Sequence, residues 1–268
     1  MHPSVTISCA LITGASSGLG EEFAMQLAPQ VKQLVLVARR ESLLLDLADR
    51  LRAQHPQLEV AVLVEDLAIA DASDRIAASL ARQGLTPDLL VNNAGMGDYG
   101  EFATAQWPKI EAMLRLNIEA LTHLTHALLP AMIHRGSGAI LNVSSIAGLL
   151  PLPDFAVYAA TKAYVSSFSE ALRIELRGHG IRVLTVCPGP VHTEFGAVAK
   201  RCPHGRNMPG HEWFYVPKEQ VVAESLAALS QNRARLYPGL RIAASALVLT
   251  LVPLVLLRLA LSRRPRRQ

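Results

Sequence analysis

A chain of 268 residues with half its positions apolar is long enough to bury a complete core as one large domain. Its three cysteines, Cys9, Cys187 and Cys202, are odd in number and far apart, which excludes a disulfide framework and suits a reducing compartment. The net charge of +4 belongs to the tail: six arginines and no acid occur from Arg241 onward, so residues 1–240 carry −2, and without a basic patch interleaved with aromatics nucleic-acid binding is excluded.

The first segment, "MHPSVTISCALITGA", is apolar and ends in small residues, but it lacks a basic start and its apolar core is short and β-branched. It reads as a buried first strand rather than a secretory leader, which makes the cytoplasm the expected location. Short runs rich in Val, Ile and Leu follow at 5–12, 32–38, 59–64, 88–92, 138–143 and 181–187. Between them lie stretches of helical period such as "EEFAMQLA", "SLLLDLADRLRAQ" and "SDRIAASLARQ". Uninterrupted apolar strands alternating with helices predict a parallel sheet covered on both faces. The expectation is a single doubly wound Rossmann α/β domain over residues 1–240, with about seven strands, followed by a hydrophobic and basic tail over 241–268. Ligands of such a fold bind outside the carboxyl ends of the strands.

After the first strand comes Gly14-Ala15-Ser16-Ser17-Gly18-Leu19-Gly20. Glycines there let a backbone approach a phosphate closely, although a plain strand-to-helix turn uses them too. No Lys-Ser or Lys-Thr follows, so it is not a P-loop, and its spacing departs from G-x-G-x-x-G. After the second strand stand Arg39 and Arg40, where an NAD site would carry an acid for the ribose 2′-hydroxyl. Guanidinium forks suit a 2′-phosphate instead; a solvated charge pair at a helix start is the competing reading. Asp66-Leu67 follows the third strand, Asn92-Asn93-Ala94-Gly95 the fourth, and Ser144-Ser145 the fifth. Tyr158 and Lys162 then fall one helical turn apart on one face, and the sixth strand leads into Pro188-Gly189-Pro190-Val191-His192-Thr193. Cys202, His204 and His211 lack metal-ligand spacing, so no metal is expected.

This set, in order and each at a strand end, resembles the short-chain dehydrogenase/reductase family over roughly residues 4–240. The family's T-G-x-x-x-G-x-G is Thr13, Gly14, Gly18 and Gly20, its N-N-A-G is residues 92–95, its Y-x-x-x-K is Tyr158 and Lys162, and its P-G is Pro188-Gly189. The resemblance implies that the glycine turn, with Ser16, Ser17 and Leu19, cradles a dinucleotide pyrophosphate. It implies a catalytic tetrad of Asn117, Ser145, Tyr158 and Lys162. The family's serine lies thirteen residues before its tyrosine, which selects Ser145 over Ser144. Free tyrosine titrates near pH 10, and a neighbouring ammonium and oxidised nicotinamide are expected to lower that value. Lys162 would also hold the nicotinamide ribose, Ser145 would hydrogen-bond the substrate oxygen, and Asn117 would join a water-borne proton relay. Of the remaining coenzyme positions, Asp66 would contact the adenine amine beside Leu67. Asn92 would fix the strand or the adenosine ribose, Asn93, Ala94 and Gly95 would line the turn, and Thr193 with the Val191 backbone would meet the nicotinamide carboxamide. With Arg39 and Arg40, the implied coenzyme is NADP(H).

Residues 192–217 occupy the family's substrate-lid position. Phe195, Met208, Trp213, Phe214 and Tyr215, with Leu149, Leu150, Leu152 and Phe155, would line an apolar pocket for a lipophilic ketone or alcohol. The competing class is a coenzyme-binding regulator or scaffold without chemistry; the presence of all four tetrad residues favours an oxidoreductase. The resemblance also implies a homo-oligomer through the Asn117 and Tyr158 helices, with His123, His126 and His134 in packing or interface roles. In the tail, residues 242–261 number twenty and are apolar on nearly every side, interrupted by Pro253 and followed by "RRPRR". They are expected to dock on a membrane surface without crossing it, since a crossing would place those arginines on the far side. The alternative is a C-terminal helix packed on the substrate pocket or on a neighbouring subunit.

Overall fold

Six of the seven strands fall on the apolar runs of the sequence. In the computed structural model, which describes residues 7–201, 212–252 and 255, they are β1 (Cys9–Thr13), β2 (Gln33–Ala38), β3 (Glu59–Val64), β4 (Leu89–Asn92), β5 (Gly138–Val143) and β6 (Ile181–Val186). With a two-residue seventh strand, β7 (Arg235–Leu236), which pairs with β6, they form one parallel sheet in the order β3-β2-β1-β4-β5-β6-β7. The order reverses between β1 and β4, the switch point at which doubly wound sheets open a cleft. β1 is shorter at its start than the apolar run 5–12 suggests. Its foot is fixed at Ser8 and Cys9, whose amides donate to the Asp88 carboxylate at 2.9–3.1 Å.

The helices follow from their apolar spacing. α1 (Gly18–Leu27) buries Gly20, Phe23, Ala24 and Leu27, and α2 (Glu41–Gln54) buries Leu44, Leu47, Ala48 and Leu51. α3 (Ala72–Arg82) buries Ile76 and Leu80 on the other side of the sheet. Alternation along β1 divides the two cores: Ala10 and Ile12 pack with Phe23 and Leu44, while Cys9 and Leu11 pack with Ile76 and Leu124. After β4 come α4 (Trp107–Leu114), a π-helical stretch Arg115–Ala120 and α5 (Leu121–Arg135). α6 (Ala156–Glu175) carries Tyr158 and Lys162. α7 (Phe195–Ala199) and α8 (Lys218–Ser230) flank the segment after β6, and α9 (Leu240–Leu251) ends the described fold.

α9 spans twelve residues and stops short of Pro253, where the sequence interrupts the apolar tail: at Val252 the backbone is extended, and residues 253, 254 and 256–268 lie outside the described residues. Among the described residues, no helix is long and apolar enough to cross a membrane.

Candidate active site

Thr13 closes β1 and ties it to the turn after β4. Its hydroxyl donates to the Val91 carbonyl at 3.2 Å and accepts the amides of Asn93 and Ala94 at 3.0 Å each. The Asn93 side chain returns the tie, donating to the Thr13 carbonyl at 2.9 Å. Thr13 and Asn93 thus shape the glycine turn with side chains already engaged. Asn92 is committed in the same way: buried, it donates to Thr125 and Asn142 and fixes the strand.

The glycine turn itself needs bare backbone. Gly14 and Gly18 have φ of +67° and +59°. A Cβ on Gly14 would stand 2.9 Å from Ala94 Cα, and one on Gly20 would strike the Gly14 carbonyl. Ser17, the residue before α1, makes no side-chain bond to the helix's first turn, which leaves amides and helix dipole available to an anion. Gly18 also meets the segment after β6: a Cβ there would lie 3.1 Å from Thr193 Cγ2. The turn, the end of β2 and the start of the lid segment converge on one cleft. A pyrophosphate-bearing dinucleotide fits this cradle of bare backbone, open helix amides and cations.

At the β2 end the two arginines behave differently. Arg39 projects into solvent, with Nη1 3.6 Å from Asp66 Oδ2. Arg40 reaches across the cleft, its fork at 2.6 Å from Ser17 Oγ, 3.2 Å from Ser16 Oγ and 2.8 Å from Glu194 Oε2. Hydrogen bonds from Arg40 and Ser17 hold the Glu194 carboxyl below its usual range. Glu194 was not singled out by the sequence; its only signal is its place beside Thr193. Leu67 is buried beneath Asp66.

The four tetrad positions gather at the ends of β4 and β5. Ser145 Oγ accepts the Ala147 amide at 3.1 Å and donates to the Pro188 carbonyl at 3.5 Å, and its hydroxyl favours the ionised form of the Tyr158 phenol. Ser144 turns inward instead: its hydroxyl donates to the Lys162 carbonyl at 2.7 Å and pairs with Ser166 at 2.8 Å. Lys162 is buried, donates to the Val143 carbonyl at 2.9 Å and stands 5.9 Å from the Tyr158 ring centroid. Asn117 lies in the π-helical stretch, where an extra residue per turn re-aims a side chain. Its amide grips Met96 in both directions, at 3.0 and 2.9 Å, and donates to Thr161 at 3.0 Å. Asn117 Oδ1 and Lys162 Nζ share the space over Gly95, each 3.4 Å from where a Cβ would sit.

The chain's own groups push both Tyr158 and Lys162 towards their neutral forms. Burial pushes Tyr158 up to about 12, opposed only by the Ser145 hydrogen bond, and the same burial brings Lys162 down to about 8. Aromatic rings wall the phenol, although Tyr158 as a residue is only half-buried. Tyr158 packs 5.6 Å from Phe155 and 5.3 Å from Phe195, and Phe155 packs 4.9 Å from Tyr99. Leu149, Leu150 and Leu152 are half-buried along the segment after Ser145.

α7, which carries Phe195, is held by a buried carboxylate that the sequence left unremarked. Asp98 takes Arg201 at 2.6 Å and Lys109 at 3.3 Å, while Lys109 also donates to the Val198 and Ala199 carbonyls. An acid three residues after the N-N-A-G turn was the available signal. Beyond the P-G turn, whose Pro188 carbonyl accepts the Ile146 amide at 3.0 Å, the Pro190 carbonyl accepts the Val216 amide at 3.1 Å. His192 stacks on Tyr215 at 4.0 Å. His123 pairs with Asp74 of α3 at 3.1 Å. Met208, like Cys202, His204 and His211, lies outside the described residues.

Known proteins resemble this chain in sequence and fold. The model of the short chain dehydrogenase family matches residues 8–201. The sulfoacetaldehyde reductase 2 of Chromohalobacter salexigens is 36% identical over 226 residues, covering 82% of this chain and 85% of that one. The human very-long-chain 3-oxoacyl-CoA reductase is 35% identical over 196 residues, 71% of this chain but only 62% of that longer relative. A short-chain dehydrogenase from Sphingobium yanoikuyae, solved in complex with NADPH, superposes with a TM-score of 0.80 at 32% identity, covering 97% of this chain and 98% of the other. Motifs, sheet order and relatives agree: the chain belongs to the short-chain dehydrogenase/reductase family of nicotinamide-dependent oxidoreductases.

Proposed function

We propose that this protein reduces a lipophilic ketone with NADPH, Tyr158 acting as the general acid. The observation that carries the reading is the gathering of Tyr158 and Lys162 Nζ, 5.9 Å from its ring centroid, with Asn117 over Gly95, walled by Phe155 and Phe195 and joined by the Ser145 hydroxyl. The coenzyme, when bound, supplies the hydride. The chain's residues handle the proton and the developing charge: the Ser145 hydroxyl holds the carbonyl oxygen, and the Tyr158 phenol donates its proton to it. The Lys162 ammonium stabilises the phenolate left behind, and Asn117 holds the Met96 turn and Thr161 against it.

NADPH is favoured over NADH because Arg39 and Arg40 stand at the β2 end, where an acid would repel a 2′-phosphate. The aromatic wall favours an apolar substrate, and the two nearby cations, Arg201 and Lys109, are already paired with Asp98. A long-chain 3-oxoacyl ketone, the class named for the human relative, suits that wall better than the sulfonate named for the bacterial one. We place the activity in the cytoplasm, with residues 1–240 as the catalytic domain, 192–217 as the lid and 241–268 as a tail whose first helix, α9, packs back on that domain. Self-association through α5 and α6 is supported by Ile133 on α5 and Tyr164 and Ile174 on α6, all apolar and exposed. Following NADPH absorbance with long-chain ketones and with sulfoacetaldehyde tests the reading. Turnover restricted to small anionic aldehydes would overturn the substrate class.

A further inference from the structure

α9 is apolar on two opposite faces. On the inner one, Ile242 and Ala246 are each 1% exposed, and Ile242 lies over Gly189 so closely that any Cβ there would collide with it. The inner face rests on the Ile146–Leu149 turn that follows Ser145, and joins Ile146, Val191, Val216 and Val221 in a small core. α9 therefore covers the two segments, after β5 and after β6, that carry Ser145 and Gly189.

On the outer face, Leu240, Leu247, Val248 and Leu251 are 91, 61, 59 and 74% exposed. With Ala244 they recur at i, i+4, i+7, i+8 and i+11, one continuous helical stripe. A surface helix ordinarily turns polar residues to water; this one turns leucines. At the start of the stripe the Arg241 guanidinium lies 4.5 Å from the Trp213 ring centroid and donates to the Trp213 carbonyl at 3.1 Å. Trp213 is itself 53% exposed. An indole and a cation side by side at the rim of an apolar stripe suit the headgroup level of a bilayer. The sequence beyond α9 adds Arg258, Arg263, Arg264, Arg266 and Arg267 and no acid.

We propose that the outer face of α9 docks on an anionic lipid surface, with Trp213 and Arg241 at the headgroups. Leucines in the stripe enter the acyl boundary, and the arginines from 258 to 267 add charge attraction. Twelve residues make a helix of about 18 Å, long enough to lie on a bilayer and too short to span its core. Charge disfavours a second copy as the occupant. α9 carries Arg241 and no acid, so a second copy of the helix laid against it offers that cation no partner. Because the inner face of α9 covers the segments around Ser145 and Gly189, docking brings the rim of the site to the lipid. A substrate dissolved in the bilayer then reaches the site without crossing water; this last step rests on the lipophilic-ketone reading above.

Flotation of the full chain with vesicles tests the docking itself. The protein should float with phosphatidylcholine vesicles containing phosphatidylglycerol and bind pure phosphatidylcholine at least about tenfold more weakly. The double variant Leu247→Glu/Leu251→Glu, at exposed positions, should lose binding to both while keeping its circular dichroism and its calorimetric affinity for NADPH. Replacing Arg263, Arg264, Arg266 and Arg267 by Gln should remove the preference for anionic vesicles. A folded wild-type chain that floats with neither vesicle overturns the proposal. So does a monomer–dimer equilibrium, seen by sedimentation, that Leu247→Glu/Leu251→Glu abolishes. NADPH affinity is read separately, so a failed docking and a failed coenzyme assignment are told apart.

Discussion

Tyr158 and Lys162, one turn apart on α6, are driven in opposite directions by the same burial: the phenol up to about 12, the ammonium down to about 8. Both shifts disfavour charge, but they fall in different pH windows. Between about 8 and the ordinary lysine value of 10.5 the folded chain has lost the Lys162 proton while the unfolded chain still holds it. The unfolded state binds more protons there, so stability contributed by this site rises with pH across that window. For ketone reduction the sign is opposite. Tyr158 remains a protonated acid, but the ammonium that stabilises its phenolate disappears, so kcat should fall as pH rises through about 8. Denaturant unfolding of the wild type and Lys162→Met across pH 7 to 11 checks the first, and the pH profile of kcat checks the second. An alkaline limb near the phenol's value would assign it to Tyr158 instead.

Removing only the proton donor should leave the fold and the coenzyme site intact. Tyr158→Phe keeps the ring between Phe155 and Phe195 and deletes only the hydroxyl. Turnover should drop by about 10²–10⁴-fold, with thermal unfolding and NADPH affinity close to wild type. Ser145→Ala should lower kcat in the same direction, whereas Ser144→Ala, whose hydroxyl bonds Lys162 and Ser166, should lower stability first. Near-full activity in Tyr158→Phe would remove it from the chemistry.

Coenzyme choice should be divided between Arg39 and Arg40. Among the described residues Arg39 is held only by a 3.6 Å contact to Asp66, so Arg39→Asp replaces an available cation with a repelling charge and should turn the NADPH preference towards NADH. Arg40 is occupied by Ser16, Ser17 and Glu194, and a 2′-phosphate has to compete with that carboxylate. Glu194→Gln should therefore tighten NADPH binding several-fold, on the order of 1 kcal/mol, while leaving NADH nearly unchanged. Calorimetric titration of both coenzymes checks the pair of variants.

What the sequence made legible was whatever is local. Strand runs, helical spacing and residues at strand ends are short-range patterns: Thr13 closes β1, Ser145 follows β5, and Tyr158 and Lys162 lie on α6, while the choice of Ser145 and of Asn117 comes from the family resemblance. β7 escaped as a location because two residues carry no period; Arg235 and Leu236 form a strand only because Thr185 and Val186 pair with them. The π-helical stretch escaped because an extra residue in a turn is a backbone event that "RLNIEA" does not announce. Arg40 and Glu194 are 154 residues apart, and Asp98 and Arg201 are 103 apart, so their pairing is a property of the folded sheet. The tail read as uniformly apolar, yet only packing against Gly189 decides that Ile242 faces in while Leu247 faces out.

Asp98 is the residue whose loss should separate substrate selection from chemistry. Its side chain is 3% exposed and receives Arg201 and Lys109. Burial raises its carboxyl, but the hydrogen bonds from Arg201 and then Lys109 outweigh that and hold it below the usual carboxylate range. A depressed folded value means this stability is present above the ordinary carboxylate pKa and is lost as pH falls through the lowered one. Asp98→Asn removes the charge while keeping the shape, leaving two cations facing each other beside α7. Breaking a buried pair this way costs about 3 kcal/mol, and the variant should unfold earlier at neutral pH while differing less from wild type in acid. Phe195 sits on α7, 5.3 Å from the Tyr158 ring and against Gly97, so loosening that helix should open the apolar wall. KM for a long-chain ketone should rise by about tenfold with kcat changed much less, because Ser145, Tyr158 and Lys162 do not touch the pair. Equal losses in kcat and kcat/KM would instead place Asp98 in the support of the tetrad.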